Sequence, residues 1–114
     1  MPMNANSDPV HAAIKRVIDE HPVVLFMKGE PDAPECGFSA TIVTILSFLG
    51  IDFVGINVLK NPALRAGVKS FSDWPTVPQL YVKGEFVGGA DIVREMFQSG
   101  ELKSLLTERM LLDA

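Results

Sequence analysis

Residues 23–39 read VVLFMKGEPDAPECGFS and predict the central part of the fold. The run Val23–Met27 is apolar without polar alternation, which favours a strand covered on both faces and hence a central strand flanked by helices. Residues 28–35 contain one glycine and two prolines, so we predict a loop there. From Phe38 onward apolar residues recur at helical spacing. The stretch therefore predicts a strand, a loop and a helix in that order.

Cys36 is the only cysteine in the chain and lies where this loop gives way to the helix. A sulfur at a helix N-terminus faces unpaired backbone N–H groups and the positive end of the helix dipole, and both favour the thiolate. Cys36 is thus a candidate nucleophile or metal ligand. Because the chain has no second cysteine, any disulfide or multi-thiolate metal site must take sulfur from another molecule.

Two helices and a second strand complete the first half of the chain. Asp8-Pro9 caps and opens a helix that ends at His21-Pro22. The helix after Cys36 ends at Gly50, and residues 52–58 form a second β-rich run. A strand–helix–strand crossover of this kind makes the two strands parallel.

The second half of the chain predicts a helix, a β-hairpin and two further helices. The predicted elements are a helix from Asn61-Pro62 to about Ser70, strands over residues 79–82 and 85–87, a helix after Gly88-Gly89 and, beyond Gly100, a last helix that includes Met110 and Leu111.

Length and composition limit the classes of function. A chain of 114 residues suits one domain, predicted over residues 10–112 after a disordered polar lead at residues 1–9. The net charge of −4 argues against nucleic acid as the main partner. No apolar run approaches the roughly 20 residues that span a bilayer, so we expect no membrane partner. One unpaired thiol favours a reducing compartment, which predicts the cytoplasm.

His11 and His21 are weak candidates for metal binding. Neither has a cysteine or carboxylate at ligand spacing, so surface or capping roles are favoured over coordination.

Five motifs, in the right order, resemble the monothiol, C-G-F-S class of glutaredoxins. They are Met27-Lys28-Gly29, Cys36-Gly37-Phe38-Ser39, the segment WPTVPQLYV at residues 74–82, Gly88-Gly89-Ala90-Asp91-Ile92, and Gln98-Ser99-Gly100-Glu101-Leu102. The resemblance covers about residues 10–106. It implies an α/β thioredoxin-like fold, with a four-stranded mixed sheet flanked by about five helices.

The position of Ser39 limits the chemistry of Cys36. A dithiol glutaredoxin carries its resolving cysteine there, and serine cannot resolve a mixed disulfide. Cys36 can therefore accept a glutathionyl group, but a second thiol such as free glutathione must release it. Alternatively, two Cys36 thiolates from two subunits and two glutathione thiolates could give the four sulfurs of a [2Fe–2S] cluster.

The resemblance favours the cluster. The first hypothesis is a glutathione-dependent [2Fe–2S] carrier, homodimeric when loaded, which passes the cluster to apo iron–sulfur proteins or pairs with a BolA-like protein. The second is an oxidoreductase that removes glutathione from protein thiols, at most a weak enzyme. A thioredoxin-fold chaperone or adaptor is a distant third.

Glutathione carries two carboxylates, so its site needs cations and backbone donors. By resemblance, Lys28 points toward the glycine carboxylate and the sulfur, and Arg65 is the family's cation for that carboxylate. Lys69, one helical turn after Arg65, is a weaker candidate with a solvated helix face as the alternative. Gly88-Gly89 offers bare N–H donors at a helix start. Asp91 could accept from the γ-glutamyl ammonium, cap the helix, or do both.

The resemblance also assigns roles to Val77-Pro78 and Phe38. It implies a cis-proline turn that leaves the Val77 backbone free to pair with the cysteine moiety of glutathione. Phe38 either shields a cluster from water or packs at the helix start. Trp74 is interpreted as a packing anchor or a partner contact.

The chain departs from the common family pattern in three places. Val77 replaces a frequent phenylalanine, and Ala90 replaces a second cysteine of many relatives. The loop also places Glu30, Asp32 and Glu35 close to the thiol, where they oppose both the thiolate and the carboxylates of glutathione. Whether they outweigh Lys28 and the helix dipole stays open from sequence.

The predicted site comprises Cys36, as nucleophile and metal ligand, with Lys28, Phe38, Arg65, Lys69, Val77, Pro78, Gly89, Ala90 and Asp91.

Overall fold

The computed structural model describes residues 8–112, and its elements follow the predicted order closely. They are α1 (Pro9–Glu20), β1 (Val23–Met27), β2 (Gly29–Glu30), β3 (Ala33–Pro34), α2 (Gly37–Phe48), β4 (Val54–Asn57), a 3-10 helix (Val58–Lys60), α3 (Pro62–Ser72), β5 (Gln79–Val82), β6 (Glu85–Gly88), α4 (Ala90–Ser99) and α5 (Glu101–Glu108). None of the helices in this part of the chain combines the length and hydropathy needed to cross a bilayer.

β1 is the central strand, as its continuous apolar sequence predicts. It pairs in parallel with β4 and antiparallel with β5, and β6 extends β5 to give the order β4–β1–β5–β6. All five residues of β1 are buried. The prediction of a four-stranded mixed sheet with five helices is confirmed.

The sheet separates two apolar layers, and β1 contributes to both because successive strand side chains point to opposite faces. Leu25 and its alternate neighbours pack with α2, α4 and α5, whereas Phe26 packs with α1 and α3. The layer under α2 includes Ile42 and Leu46, and the opposite layer includes Ile14 and Val68. Both helical faces of the sheet are thus covered.

Side-chain caps fix the starts of α1 and α3. The Asp8 carboxylate accepts from the N–H of Val10 at 2.8 Å and of His11 at 3.3 Å. Asn61 accepts from the N–H of Leu64 at 3.1 Å. In both helices a proline follows the cap, which costs no hydrogen bond at the first helical position. Asp8 thus belongs to the boundary of α1, and residues 1–7 of the predicted lead lie outside the described residues.

Three predicted boundaries are wrong in detail. Residues 28–35, predicted as a loop, contain the antiparallel ladder of β2 and β3, in which Gly29 pairs with Pro34. β4 is shorter than the predicted residues 52–58, because Val58 starts the 3-10 helix. α5 ends at Glu108, so Met110, with φ of 63°, and Leu111 lie beyond it.

α1 and α3 cross closely at Gly67. A Cβ built at this glycine would overlap the Cγ1 atom of Val10, so the helix spacing there leaves no room for a side chain. Glycine at this position lowers the helix propensity of α3 but allows the two helices to pack closely.

We expect Gly67→Ala to lower the free energy of unfolding by about 1–3 kcal/mol, the usual cost of overpacking. In a Val10→Ala background the Cγ1 overlap is gone and only a close contact of 3.3 Å with the Cβ atom of residue 10 remains. The same substitution should then be close to neutral, because the higher helix propensity of alanine, up to about 1 kcal/mol, offsets that contact. Urea unfolding of the four proteins in this cycle measures both values. An equal effect of Gly67→Ala in the two backgrounds would show that Val10 is not the limiting contact.

Candidate functional site

Strand directions bring four strand ends to one edge of the sheet. β1 and β4 end there, with Met27 opposite Asn57. β5 starts there, with Gln79 opposite Phe26, because it runs antiparallel to β1. β6 ends there, with Gly88 opposite Leu80. The residues that follow or precede these ends therefore lie close together.

A cleft of about 330 Å³ lies at this edge. Most of the predicted site residues line it, except Cys36, Arg65 and Gly89. Pro75 and Thr76 also line it, although they had no predicted role beyond their place in the motif at residues 74–82. The full lining set is Lys28, Phe38, Lys69, Pro75, Thr76, Val77, Pro78, Ala90 and Asp91.

Cys36 is the N-cap residue of α2 and is partly buried beside this cleft. Its backbone is extended, its carbonyl accepts from the N–H of Ala40 at 2.9 Å, and its side chain makes no capping bond. The sulfur therefore lies at the start of α2 without acting as its side-chain cap. It is next in sequence to Gly37, which is exposed and places no side chain near it.

The surroundings of Cys36 favour the thiolate. Partial burial raises the pKa of the thiol, but the backbone N–H groups of Ser39 and Phe38, the charge of Lys28 and the Ser39 hydroxyl together lower that pKa below its ordinary value. The helix-start geometry anticipated from sequence thus has its expected effect. The groups that shift this pKa are the start of α2 and Lys28, and none of the three acidic residues of the loop is among them.

Ser39 ties α2 to the end of β1. It is completely buried, and its hydroxyl oxygen accepts from the Lys28 N–H at 3.1 Å. The Lys28 carbonyl in turn accepts from the N–H of Glu35 at 2.9 Å. Both polar groups of the Lys28 backbone are therefore held, which fixes the point from which its side chain enters the cleft.

Gly29 permits the tight approach of β2 to β3. Its φ is +92°, in the region that disfavours side chains, and an added Cβ would lie 2.5 Å from the N atom of Glu35 and 2.7 Å from the carbonyl oxygen of Ala33. The backbone conformation at the third position of the Met27-Lys28-Gly29 motif therefore requires glycine.

Glu30 contacts β4 and the 3-10 helix. Its carboxylate accepts from the Asn57 amide at 2.9 Å and pairs with the Lys60 ammonium at 3.2 Å. These two contacts hold the pKa of Glu30 below its usual range. The Asn57 side-chain oxygen also accepts from the Gly29 N–H at 3.0 Å, so β4 holds this loop. Asn57 had no predicted role, and nothing in its sequence context signals one.

The two predicted cations of α3 differ in position. Lys69 lines the cleft, whereas Arg65, ranked above it from sequence, does not. Arg65 is nevertheless partly buried, and its Nε atom has no hydrogen-bond partner within residues 8–112. A buried guanidinium nitrogen of this kind favours an anionic partner that the chain itself does not supply.

Asp91 lines the cleft but is not the helix cap. The cap of α4 is Gly89, which contributes no side-chain bond, and Asp91 lies in the first turn. Its exposed carboxylate pairs with Arg94 at 3.2 Å. Gly89 and Ala90 are buried, and Gly89 lies close to the Pro78 carbonyl, where a Cβ would approach to 3.3 Å.

The loop before β5 forms the opposite wall of the cleft. The Val77-Pro78 peptide bond is cis, as the resemblance implies. Gln79 is completely buried, and its amide donates to the carbonyls of Trp74 at 3.3 Å and Thr76 at 3.1 Å. This buried amide holds the loop from beneath. Trp74 packs against Phe86 with ring centroids 5.8 Å apart, consistent with its interpretation as a packing anchor.

Phe38 is 60% exposed although it follows Cys36 by two residues and lines the cleft. Simple packing at the helix start, one of its two predicted roles, is therefore wrong. An exposed ring beside a reactive sulfur presents an apolar surface to a ligand or a second molecule.

The two histidines lie away from this edge. His11 forms a 2.7 Å hydrogen bond with the Ser70 hydroxyl and packs edge-on against Phe71, so it joins α1 to α3. His21 is the exposed C-cap residue of α1. Within residues 8–112, no group of three or more histidine, cysteine or acidic side chains could hold a metal ion.

Taken together, the cleft offers two ammonium groups and one carboxylate next to a single activated sulfur. It suits a small ligand that carries anionic groups and one cationic group, and that places sulfur near Cys36.

Comparison with known proteins agrees with this geometry. The family model for glutaredoxin matches residues 23–87. A probable monothiol glutaredoxin 2 of Rickettsia typhi is 55% identical over 95 residues, which cover 83% of this chain and 86% of the relative. The solution structure of reduced poplar apo GrxS14 superposes with a TM-score of 0.81 at 47% identity, covering 94% of this chain and 98% of that one.

A more distant structure shares the fold alone. The crystal structure of a buckwheat glutaredoxin–glutathione complex has a TM-score of 0.81 at 23% identity, and the match covers 97% of this chain and 99% of that one.

The lowered pKa of Cys36 predicts how alkylation depends on pH. Because the thiolate reacts, the iodoacetamide rate should reach half its maximum below the pH typical of a free thiol. Lys28→Met removes a charge that favours the thiolate, so the half-maximum should move to higher pH. Lys103→Met, an exposed change on α5, is the control. An unchanged profile in Lys28→Met would show that Lys28 does not act on the sulfur.

Proposed function

The chain belongs to the monothiol branch of the glutaredoxin family, and from that premise we propose that it binds glutathione in the cleft and carries a [2Fe–2S] cluster shared with a second subunit. The observation that carries the proposal is the lone activated Cys36 beside a cleft with two lysines and one aspartate.

The charges of the cleft match those of glutathione. The tripeptide has two carboxylates and one ammonium group, whereas Lys28, Lys69 and Asp91 provide two cations and one anion. Arg65 supplies a third cation whose Nε lacks a partner within the described part of the chain. The backbone of Val77 pairs with the cysteine moiety, and the N–H groups at Gly89 and Ala90 receive the γ-glutamyl carboxylate. A glutathione molecule bound in this way would have its thiol next to Cys36.

The cluster is the cargo of the proposed carrier. A [2Fe–2S] cluster held by sulfur needs four ligands, and this chain offers Cys36 alone. Two Cys36 thiolates and two glutathione thiolates complete the set in a symmetric dimer. The donor chemistry fits, since the Cys36 pKa is lowered and its sulfur makes no capping bond. Phe38 beside it shields the cargo from water.

The partners follow from this role. Half of the sulfur ligands of the cluster would come from glutathione, which is bound non-covalently, so the cluster can leave with little disruption of the fold. We therefore propose apo iron–sulfur proteins as the recipients. A BolA-like protein replaces one subunit in a mixed pair. The single free thiol favours a reducing compartment, and we propose the cytoplasm.

Thiol–disulfide exchange is the second candidate function, favoured by the lowered pKa of Cys36. The Cys36 thiolate attacks the glutathionyl sulfur of a modified protein, the protein leaves as a thiolate, and Cys36 becomes glutathionylated. A glutathione thiolate then attacks the glutathionyl sulfur, which yields oxidised glutathione and restores Cys36. A reddish-brown protein after anaerobic purification with glutathione supports the carrier, and a colourless protein with robust exchange supports the enzyme.

We expect subunit state and cluster to be linked. The apo-protein should elute mainly as a monomer and the reconstituted protein as a dimer, because bridging requires two Cys36 thiolates. Anaerobic size-exclusion chromatography with absorbance at visible wavelengths measures both. A cluster-loaded monomer, with no partner protein present, would overturn the bridging proposal.

The cations should act through glutathione and not through iron. Removing one charge contact should weaken glutathione affinity about five- to hundredfold in Lys28→Ala or Arg65→Ala, the range of one charged hydrogen bond. Raising glutathione during reconstitution should therefore restore cluster assembly in both variants. Cys36→Ser should stay without cluster at every glutathione concentration, because excess ligand cannot replace a protein thiolate.

Visible absorption measured across a glutathione titration gives the result directly. Equal failure of all three variants at saturating glutathione would mean that the two cations support the structure of the site instead of binding the ligand.

A further inference from the structure

Asn57, the last residue of β4, is the polar centre of the loop that follows β1. Its side-chain oxygen accepts from the Gly29 N–H at 3.0 Å and from the Leu59 N–H at 2.9 Å. Its side-chain nitrogen donates to the Glu30 carboxylate at 2.9 Å. One amide thus joins β4, the 3-10 helix and the segment that carries Lys28.

These contacts set the electrostatics of the cleft. Glu30 lies two residues after Lys28, and its side chain is 44% exposed. The carboxylate is held by Asn57 and Lys60 and does not line the cleft. If it were released, its charge would be free to approach the carboxylates of a ligand bound at Lys28.

We propose that Asn57 is a positioning residue for glutathione binding. Its side chain fixes the Lys28 segment against β4 and holds the Glu30 charge away from the cleft. This inference rests on the proposed glutathione site. It adds a specificity element that makes no contact with the ligand and lies outside the cleft lining.

The role needs an amide and not a carboxylate. Asparagine accepts from two backbone N–H groups with its oxygen while it donates to Glu30 with its nitrogen. A carboxylate keeps the acceptor but loses the donor, and it places a second negative charge against Glu30. A simultaneous change of Glu30 to glutamine restores a donor–acceptor pair with the direction reversed.

The experiment is a double-variant cycle read by calorimetric titration with reduced glutathione. Asn57→Asp should weaken glutathione affinity about ten- to thirtyfold, through repulsion from Glu30 and displacement of the loop. Glu30→Gln alone should stay within about threefold of the wild type, because the Asn57 amide can still donate to the new side-chain oxygen. Combining the two substitutions should return the affinity to within about threefold of Glu30→Gln.

Ser104→Asp is the charge-matched control, since it adds one negative charge at an exposed site on α5 and should leave the affinity within about twofold. Thermal unfolding of every variant reports the fold. Loss of the fold in both Asn57→Asp and the double variant would overturn the inference, because Asn57 would then support the fold as a whole.

The outcomes separate this inference from the proposed function. A wild-type chain that binds no glutathione would overturn the proposed function and the inference with it. A wild type that binds, together with an Asn57→Asp variant that binds equally well, would overturn the inference alone. Weakened binding by Asn57→Asp without recovery in the double variant would also overturn it, because Glu30 would not be the group that Asn57 restrains.

Discussion

The site depends on the hydrogen-bond ladder on both sides of β1. Because β1 runs parallel to β4 and antiparallel to β5, the ends of β1 and β4 meet the start of β5 at one edge of the sheet. β6, antiparallel to β5, returns to the same edge. Lys28, Pro78 and Asp91, which are far apart in sequence, reach one cleft for this reason. A shift of β5 by one residue would turn its side chains to the wrong faces and move the Val77-Pro78 wall away.

Charge is distributed locally in a way that the composition does not reveal. The chain is acidic overall, with a net charge of −4, yet the cleft presents more cations than anions. The acidic loop next to the thiol is compatible with this because Glu30 is occupied by Asn57 and Lys60. The backbone N–H groups at the start of α2 also lie within hydrogen-bonding range of the Cys36 sulfur and lower its pKa. Hydrogen bonds at the helix start and the Lys28 charge thus lower the pKa of Cys36 in a chain that is acidic overall.

Much of this arrangement could be predicted from the sequence, and most of the exceptions are relations between residues far apart in the chain. The apolar run Val23–Met27, the Asp8 and Asn61 caps and the Gly100 break are local signals, and the structure confirms the elements that they predict. The position of Asn57 opposite the Gly29 loop is a tertiary relation between residues 28 apart, and no local pattern encodes it. The relative placement of Arg65 and Lys69 depends likewise on how α3 packs. The short β2–β3 ladder differs from the predicted loop because Pro31, in the turn, and Pro34, in β3, are residues typical of loops.

The two apolar layers support different helices of the candidate site. The helix that bears Cys36 rests on one face of the sheet, and the helix that bears Arg65 and Lys69 rests on the other. Each layer has its own packing, with β1 as the shared partition. Core substitutions beneath α3 would therefore act first on the two cations of that helix, whereas those beneath α2 would act first on the helix start that carries Cys36. Descendants of such a chain could diverge in ligand preference and in thiol reactivity along separate mutational routes.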